Sequence, residues 1–586
     1  MTKTKRVGVR LSLTMVTIFV IVAIFSGRLF QLQVVQAKAL DKISAKNQST
    51  TVTTDGIRGA IVDTNGVVLA QSVDRFNITV APSMVLKGYH KKVNGSSVLV
   101  PVDESLAAIA RVTGQQESDL LAIVEKNPKS NFAYLTKGVA LATLTAVQKL
   151  KIPGIYYETA PARSYPNGAI AGNLVGFVGT DGAQAGIELA YNSCLASKSG
   201  KSTYQTGEDG VRIPGSTVKE TNPVNGGTIK LTIDRDLQYE VQAAIHAQRV
   251  KLGAPWATAV VERVKDGHLM AVADDPTVDP NNLNASKPNQ FGSLAFSTPY
   301  EPGSTFKAMS VAALIDAGKI TPKTEIVVPP VYRLSNGGFI KDSFYHGTLH
   351  YTTAGVLENS SNIGVSILSQ QLGAQQRYDY LLKFGVGSKT AVDFGSEQSA
   401  GHVSKPPWDV VTNRSVEFGQ GVSATSVQVA QIFETLANHG VREPSTLVEG
   451  CTLPNGTVVD QPSAKPVRVV STKAADEVRG MLETVVTGGP IGPLLRVPGY
   501  RIAAKTGTAQ VAAANGAGYG NKYIISVAGM APAEDPQYVV VVTFGPTTLG
   551  TSAGAAPAFT KVMTEVLKKY RVAPSTTKAP YIQTTW

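Results

Sequence analysis

The sequence has 586 residues, enough for more than one domain, and 43% of them are hydrophobic against 17% charged. That balance belongs to globular proteins with a sizeable core. The net charge is +12, from 55 basic and 43 acidic residues, but no long basic run accompanies it, so it reads as a solvated surface and offers no nucleic-acid-binding module.

Residues 1–10 carry Lys3, Lys5, Arg6 and Arg10 and no acid. Residues 11–27 carry no charge and are rich in Leu, Val, Ile and Phe, about one bilayer span, with Arg10 and Arg28 at the ends. A buried soluble helix would not need the basic flank. A cleaved signal peptide would need a small-x-small site after the run, and none is visible. The expectation is one retained transmembrane helix at 11–28, with a cytoplasmic tail at 1–10 and the rest of the chain outside the membrane. Residues 29–46 should continue as a helix leaving the bilayer.

Asn65-Gly66, between Ile61-Val62 and Val67-Val68-Leu69, is a hairpin signal. Residues 102–151 read as mostly helical, and 200–227, rich in Gly, Ser, Thr and Lys, as strands and turns. A domain boundary is expected near Gly227. Two apolar runs between Ala259 and Ala273, split by Asp266-Gly267, predict the first strands of an antiparallel sheet. The chain then reads as helix-rich from Ser304 to about Gly373. Short strands are expected at 501–506, 523–528 and 538–544, an amphipathic helix at 557–570, and a flexible tail at 573–586. Cys194 and Cys451 form no metal-ligand cluster. They fall in different predicted domains, which counts against a disulfide even in an exported chain.

The chemistry centres on Glu301-Pro302-Gly303-Ser304-Thr305-Phe306-Lys307. A helix opening near Ser304 would put Ser304 and Lys307 on one face, three residues apart. A serine beside a lysine is a nucleophile beside a possible base. Alone, the pair also fits a helix cap with a snorkelling lysine. Ser360-Ser361-Asn362 and Lys505-Thr506-Gly507-Thr508 follow in order and at wide separation, and the three together form a known acyl-serine signature. Histidine is absent from all three stretches, so a Ser-His-Asp triad has no support.

On these motifs the chain resembles the class B penicillin-binding proteins, and most of all the division-type peptidoglycan D,D-transpeptidases. Arg58-Gly59, Arg163 with Tyr165-Pro166, and Gly186-Ile187-Glu188 are similar to the boxes of the family's non-catalytic pedestal. A basic residue is usual in the family where Thr64 stands. The stretch Ser293-Leu294-Ala295-Phe296 also departs from the usual Asn-Arg-Ala-like sequence.

The resemblance implies an α+β multidomain protein. A single N-terminal transmembrane helix would precede a β-rich pedestal at 29–227 and a transpeptidase domain at 228–572, an antiparallel sheet flanked by helices. It implies Ser304 as nucleophile, Lys307 as base and Ser360 as proton carrier. Asn362, Lys505, Thr506, Gly507 and Thr508 would bind substrate. No metal or cofactor is expected. The implied partners are stem peptides ending in D-Ala-D-Ala, β-lactams as covalent inhibitors, a membrane glycan polymerase and other division proteins. Side-wall elongation, a β-lactamase or penicillin sensor, and an inactive division scaffold are the alternatives.

Overall fold

The computed structural model describes residues 3–36, 38, 49–93, 95–205, 207, 213–217, 219–395, 397, 401–513 and 518–586. The described residues group into two compact units, 1–57 with 197–226, and 58–196 with 227–586.

In the first unit, helix α1 (Lys3–Phe30) leads into one wider turn, Gln31–Val35. Its apolar side chains, such as Leu11, Phe19 and Phe25, are uncovered by protein, and Gly8–Val35 is long and apolar enough to cross a membrane. Of the helix expected over 29–46, residues 29–35 and Lys38 are helical, and residues 37 and 39–48 lie outside the described residues. Strand Ser49–Thr54 pairs antiparallel with Gly200–Gln205, which pairs with Lys219–Thr221. The strand-and-turn expectation for 200–227 is met where the chain is described.

The second unit begins with the hairpin predicted at Asn65-Gly66. Ile61–Val62 pairs with Val68–Val73, Gly66 takes φ +83°, and the Asp63 carboxylate accepts the N–H groups of Asn65 and Val67, each at 2.8 Å. Strand Thr228–Leu231 lies parallel to Ile61–Val62 and antiparallel to Val448–Thr452, so one six-stranded sheet draws on segments nearly four hundred residues apart. Residues 102–151 are helical at 102–113, 117–126 and 141–149, but 133–139 is a strand on a separate three-stranded sheet.

Cys194 and Cys451 are joined in a disulfide, against the expectation from their falling in different predicted domains. The six-stranded sheet explains it. Cys451 lies in that sheet opposite Ile229, the Gly227 N–H donates to the Cys194 carbonyl at 2.9 Å, and a Cβ at Gly227 would stand within 3.0 Å of both sulfurs. Glycine at 227 is what lets the two thiols meet.

Helix α2 (Arg235–Leu252) opens where Asp234 caps it, accepting the N–H groups of Asp236 and Leu237. Strands β1 (Trp256–Arg263) and β2 (Leu269–Asp275) form the predicted hairpin, with Gly267 at φ +66°. A short turn, Gly303–Phe306, feeds helix α3 (Lys307–Asp316), whose residues 307–315 are all buried. Between it and the next motif the chain is less helical than expected: strand Glu325–Val328 pairs with Leu349–Thr352, and Tyr332–Arg333 with Phe339–Ile340. Helix α4 (Asn362–Leu368) carries the second motif at its start, and α5 (Ser426–Ala437) is buried along its length. Then come α6 (Thr472–Thr487), strands β3 (Ala503–Ala512), β4 (Tyr519–Ala531) and β5 (Tyr538–Thr547), and α7 (Ala556–Lys569). The five strands form one antiparallel sheet in the order β2-β1-β5-β4-β3. α2 and α7 pack on one another and on this sheet, and β3 lies at its edge. Strand β3 runs through the Lys505 motif rather than ending at it.

The expectation of a flexible tail at 573–586 is corrected. Ser575 donates its N–H to the Gly499 carbonyl, Ile582 reaches Gly480, and Thr585 bridges Tyr351. The segment is held by backbone pairing to a strand edge, which the Pro- and Thr-rich composition does not announce.

Candidate active site

Three elements meet at the site. Gly303 has φ +58° and sits under two neighbouring backbones: its N–H donates to the Gly419 carbonyl at 3.0 Å, and a Cβ would stand 3.1 Å from the Thr508 carbonyl. The turn it makes places Ser304, half-buried, three residues before the buried start of α3. Gly507 is the matching close approach on β3: a Cβ there would lie 2.8 Å from the Pro302 carbonyl and 2.4 Å from Ser526 Oγ. The two glycines therefore bring the edge strand onto the Ser304 turn.

Lys307 is fully buried. Its amine reaches the Ser360 carbonyl at 2.5 Å, Asn362 Oδ1 at 2.7 Å and Ser360 Oγ at 3.3 Å. The first two partners can only accept, and they take two N–H bonds. A neutral amine is then satisfied with its lone pair free. Burial, reinforced by the positive charge of Lys505, holds the Lys307 amine far below its ordinary value, with Asp342 opposing weakly. Lys505, also fully buried, donates to Ser360 Oγ at 2.9 Å and to the Thr506 carbonyl at 3.3 Å. Burial pulls it down to about 7. Thr506 and Thr508, two apart and half-buried, share a face of β3.

Ser360 stands between the two amines. It has φ +54°, a left-handed backbone that costs a non-glycine residue about 1 kcal/mol or more. That conformation turns its hydroxyl and its carbonyl toward the same lysine. Ser361, fully buried, caps α4, accepting the Gly364 N–H at 2.8 Å and donating to Asp342 Oδ2 at 2.7 Å.

All eight residues singled out in the three motifs thus lie on three adjoining elements. Three supports had no sequence signal. Asp342 also accepts the Ile363 N–H at 3.0 Å and has His346 Nε2 at 3.3 Å, so His346, left without a role by the sequence, belongs to the prop beneath the second motif. Asn362 Nδ2 donates to the Lys341 carbonyl at 3.0 Å. Glu301 accepts the Gly421 N–H at 2.9 Å and the Tyr519 hydroxyl at 3.0 Å, and burial raises its carboxyl. None of these follows from local spacing.

The pedestal boxes also meet. Glu188, fully buried, accepts from Arg58 Nε at 2.7 Å and from Arg163 Nε at 2.6 Å. Arg163 Nη1 donates to the Gly59 carbonyl at 2.7 Å, and the Tyr165 hydroxyl accepts the Val178 N–H at 3.0 Å. The Thr64 hydroxyl lies 3.4 Å from Glu449, whose carboxylate pairs with Lys230 at 2.8 Å. The unusual stretch at 293–296 is well packed: Phe296 stacks on Phe394 at 4.7 Å, and the Ala295 N–H donates to Asp274 at 2.9 Å.

A serine at the mouth of a buried helix, two buried amines converging on a second hydroxyl, and a strand at the sheet edge beside them are the parts that an active-serine acyltransferase uses. Comparison with known proteins narrows the class. The penicillin-binding protein transpeptidase domain matches residues 257–564, and the penicillin-binding protein dimerisation domain matches residues 53–231. The chain belongs to the penicillin-binding proteins, in the branch that joins these two domains. The penicillin-binding protein PbpB of Mycolicibacterium smegmatis is 34% identical over 588 residues, spanning 96% of this chain and 90% of its own. The peptidoglycan D,D-transpeptidase FtsI of Escherichia coli is 29% identical over 561 residues, spanning 95% and 91%. The crystal structure of a peptidoglycan synthetase from Bifidobacterium adolescentis aligns with a TM-score of 0.72 at 31% identity, over 92% of this chain and 100% of that one.

Proposed function

We propose that this protein is a serine-type peptidoglycan D,D-transpeptidase that crosslinks cell-wall stem peptides in septal synthesis during cell division. The observation that carries the reading is the convergence of the buried Lys307 and Lys505 amines on the Ser360 hydroxyl, with Lys307 three residues along the chain from Ser304. The likeness to PbpB and FtsI supports the septal role over side-wall elongation.

In this reading a stem peptide ending in D-Ala-D-Ala adds as a strand along the open edge of β3. Lys505, Thr506 and Thr508 hold its terminal carboxylate, with Gly507 keeping the strand close, and Asn362 holds a substrate amide. Neutral Lys307 takes the Ser304 proton as Oγ attacks the carbonyl of the penultimate D-Ala. The N–H groups of Ser304 and Thr508 receive the oxyanion. The C–N bond breaks, Ser360 passes a proton to the leaving nitrogen, and free D-Ala departs. An amine of a neighbouring strand then attacks the Ser304 ester, its proton returning by the same groups, and the crosslink releases the serine. β-Lactams acylate Ser304 in place of the peptide. With no motif for a separate deacylation base, the adduct persists.

The test is covalent labelling by a fluorescent penicillin. The parent labels at Ser304 and Ser304→Ala does not, while its thermal melt is unchanged. Full labelling of Ser304→Ala would end the assignment.

We also infer that α1 is a membrane anchor with its N-terminus in the cytoplasm and the catalytic domain outside, and that the protein works beside a membrane glycan polymerase. Residues 29–227 resemble a non-catalytic pedestal and carry no glycosyltransferase signature, so fresh strands must come from a neighbour. Ser26 and Gly27 permit close helix approach in lipid, and Leu29, Phe30, Val34 and Val35 are all exposed. Replacing residues 11–27 by an unrelated spanning helix, or making Phe30 and Val34 polar, should weaken co-purification with the polymerase. Parental co-purification and growth in both variants would remove the docking idea.

A further inference from the structure

The segment expected to be flexible ends on the element that carries Ser360. Strand 349–352 has strand 325–328 on one side and residues 583–586 on the other. The Thr352 N–H donates to the Thr584 carbonyl at 3.1 Å, and the Trp586 N–H donates to the His350 carbonyl at 3.3 Å. Thr352 Oγ1 donates to the Gln583 carbonyl at 2.7 Å. Trp586 Nε1 donates to the Tyr351 carbonyl at 3.0 Å, and its ring meets His350 edge-on at 4.7 Å.

Strand 349–352 is not a remote edge. Thr352 is the N-cap of helix 353–358, its hydroxyl accepting the Gly355 N–H at 3.3 Å. That helix runs directly into the catalytic turn: the Ser360 N–H donates to Leu357 and the Ser361 N–H to Val356, at 3.2 and 3.0 Å. At its far end the Thr584 side chain faces the Glu358 carboxylate, two residues before Ser360, and eases its charged form against the burial that raises it. Between the two ends, a Cβ on Gly355 would stand 1.9 Å from the Thr584 carbonyl. Glycine within a helix costs about 1 kcal/mol against alanine, and here the passing backbone is the reason for it.

We propose that residues 582–586 are a positioning strap for the reaction. By holding the cap, the middle and the end of helix 353–358, they hold Ser360 in the left-handed backbone from which its hydroxyl and carbonyl both reach Lys307. The inference rests on the reading of Ser304 as the acylated nucleophile.

The experiment is time-resolved labelling by a fluorescent penicillin, with circular dichroism and thermal melts run beside it. Four chains are compared: the full chain, a chain ending at Lys578, Gly355→Ala in the full chain, and both changes together. The shortened chain and Gly355→Ala should each acylate about ten- to a hundredfold more slowly, the usual size of a small misplacement at a reacting centre. The double variant should be no slower than the shortened chain, because the carbonyl that the added methyl group would strike has gone. A peptide of residues 579–586, added in trans, should restore the shortened chain, which mere damage to folding would not allow. Labelling of the shortened chain within twofold of the parent overturns the proposal. So does slow labelling that the peptide leaves unchanged and that Gly355→Ala deepens further. If the shortened chain does not fold, Gly355→Ala in the full chain decides, and a parental rate there overturns it. Failure of the full chain itself to label would instead remove the Ser304 reading.

Discussion

In the pedestal, one buried carboxylate, Glu188, answers two arginines. In the catalytic domain, two fully buried amines, Lys307 and Lys505, hydrogen-bond to neutral groups: a hydroxyl, two backbone carbonyls and an amide. Both clusters exclude water, and the same low dielectric acts on them in opposite senses. Where an acid is present, burial strengthens the pairing and locks the geometry. Where it is absent, burial drives the amines to give up their protons, and a lysine becomes a base near neutral pH. Architecture and chemistry in this chain are separated by whether buried cations have a counter-ion.

The largest effect follows from removing the base. Lys307→Met keeps the shape of the side chain and removes its amine, and the rate of penicillin acylation should fall by about 10²- to 10⁴-fold. Folding should hardly suffer, since the amine is a buried group whose protonated form the protein disfavours. Stopped-flow labelling and a thermal melt measure the two quantities on one sample. A near-parental rate would assign the base elsewhere.

The opposite outcome is expected at Glu188. Glu188→Ala leaves Arg58 and Arg163, 15% and 5% exposed, without their acid, and should lower stability by about 3–5 kcal/mol. The molecules that remain folded should acylate at the parental rate. Denaturant titration against labelling rate separates the effects, and a slow rate in folded Glu188→Ala would mean that the pedestal cluster reaches the site after all.

What could be read beforehand divides along similar lines. Ser304 and Lys307 are legible because three residues on a helix make a face, and Thr506 and Thr508 because two on a strand do. The Asn65-Gly66 and Asp266-Gly267 hairpins are legible because their glycines must take positive φ. The Cys194–Cys451 bond, the Asp342 prop and the strap at 582–586 are each made by chain segments brought together only by a sheet or a strand edge. No local period encodes them. The strap was hidden for a second reason: backbone pairing orders it, and backbone groups are the same in every sequence.

The smallest effect tests the amines against each other. Lys505 titrates at about 7 in the free protein, against about 10.4 for an ordinary lysine. Lys307 bears the same burial and in addition the Lys505 charge. Raising the pH should therefore first free the Lys307 lone pair, which speeds acylation, and then discharge Lys505, which weakens capture of the substrate carboxylate. The second-order rate should form a bell whose alkaline limb lies near 7. Lys505→Arg keeps its charge throughout this range, so that limb should vanish while the acid limb stays. Stability carries the opposite signature. The unfolded chain binds the extra proton between about pH 7 and 10.4, so the Lys505 contribution makes the fold more stable as pH rises across that window, and this slope too should disappear in Lys505→Arg. The expected change in rate is only a few-fold per pH unit, but its sign is decisive: an alkaline limb that survives Lys505→Arg would mean that another group, and not the second buried amine, governs capture of the carboxylate.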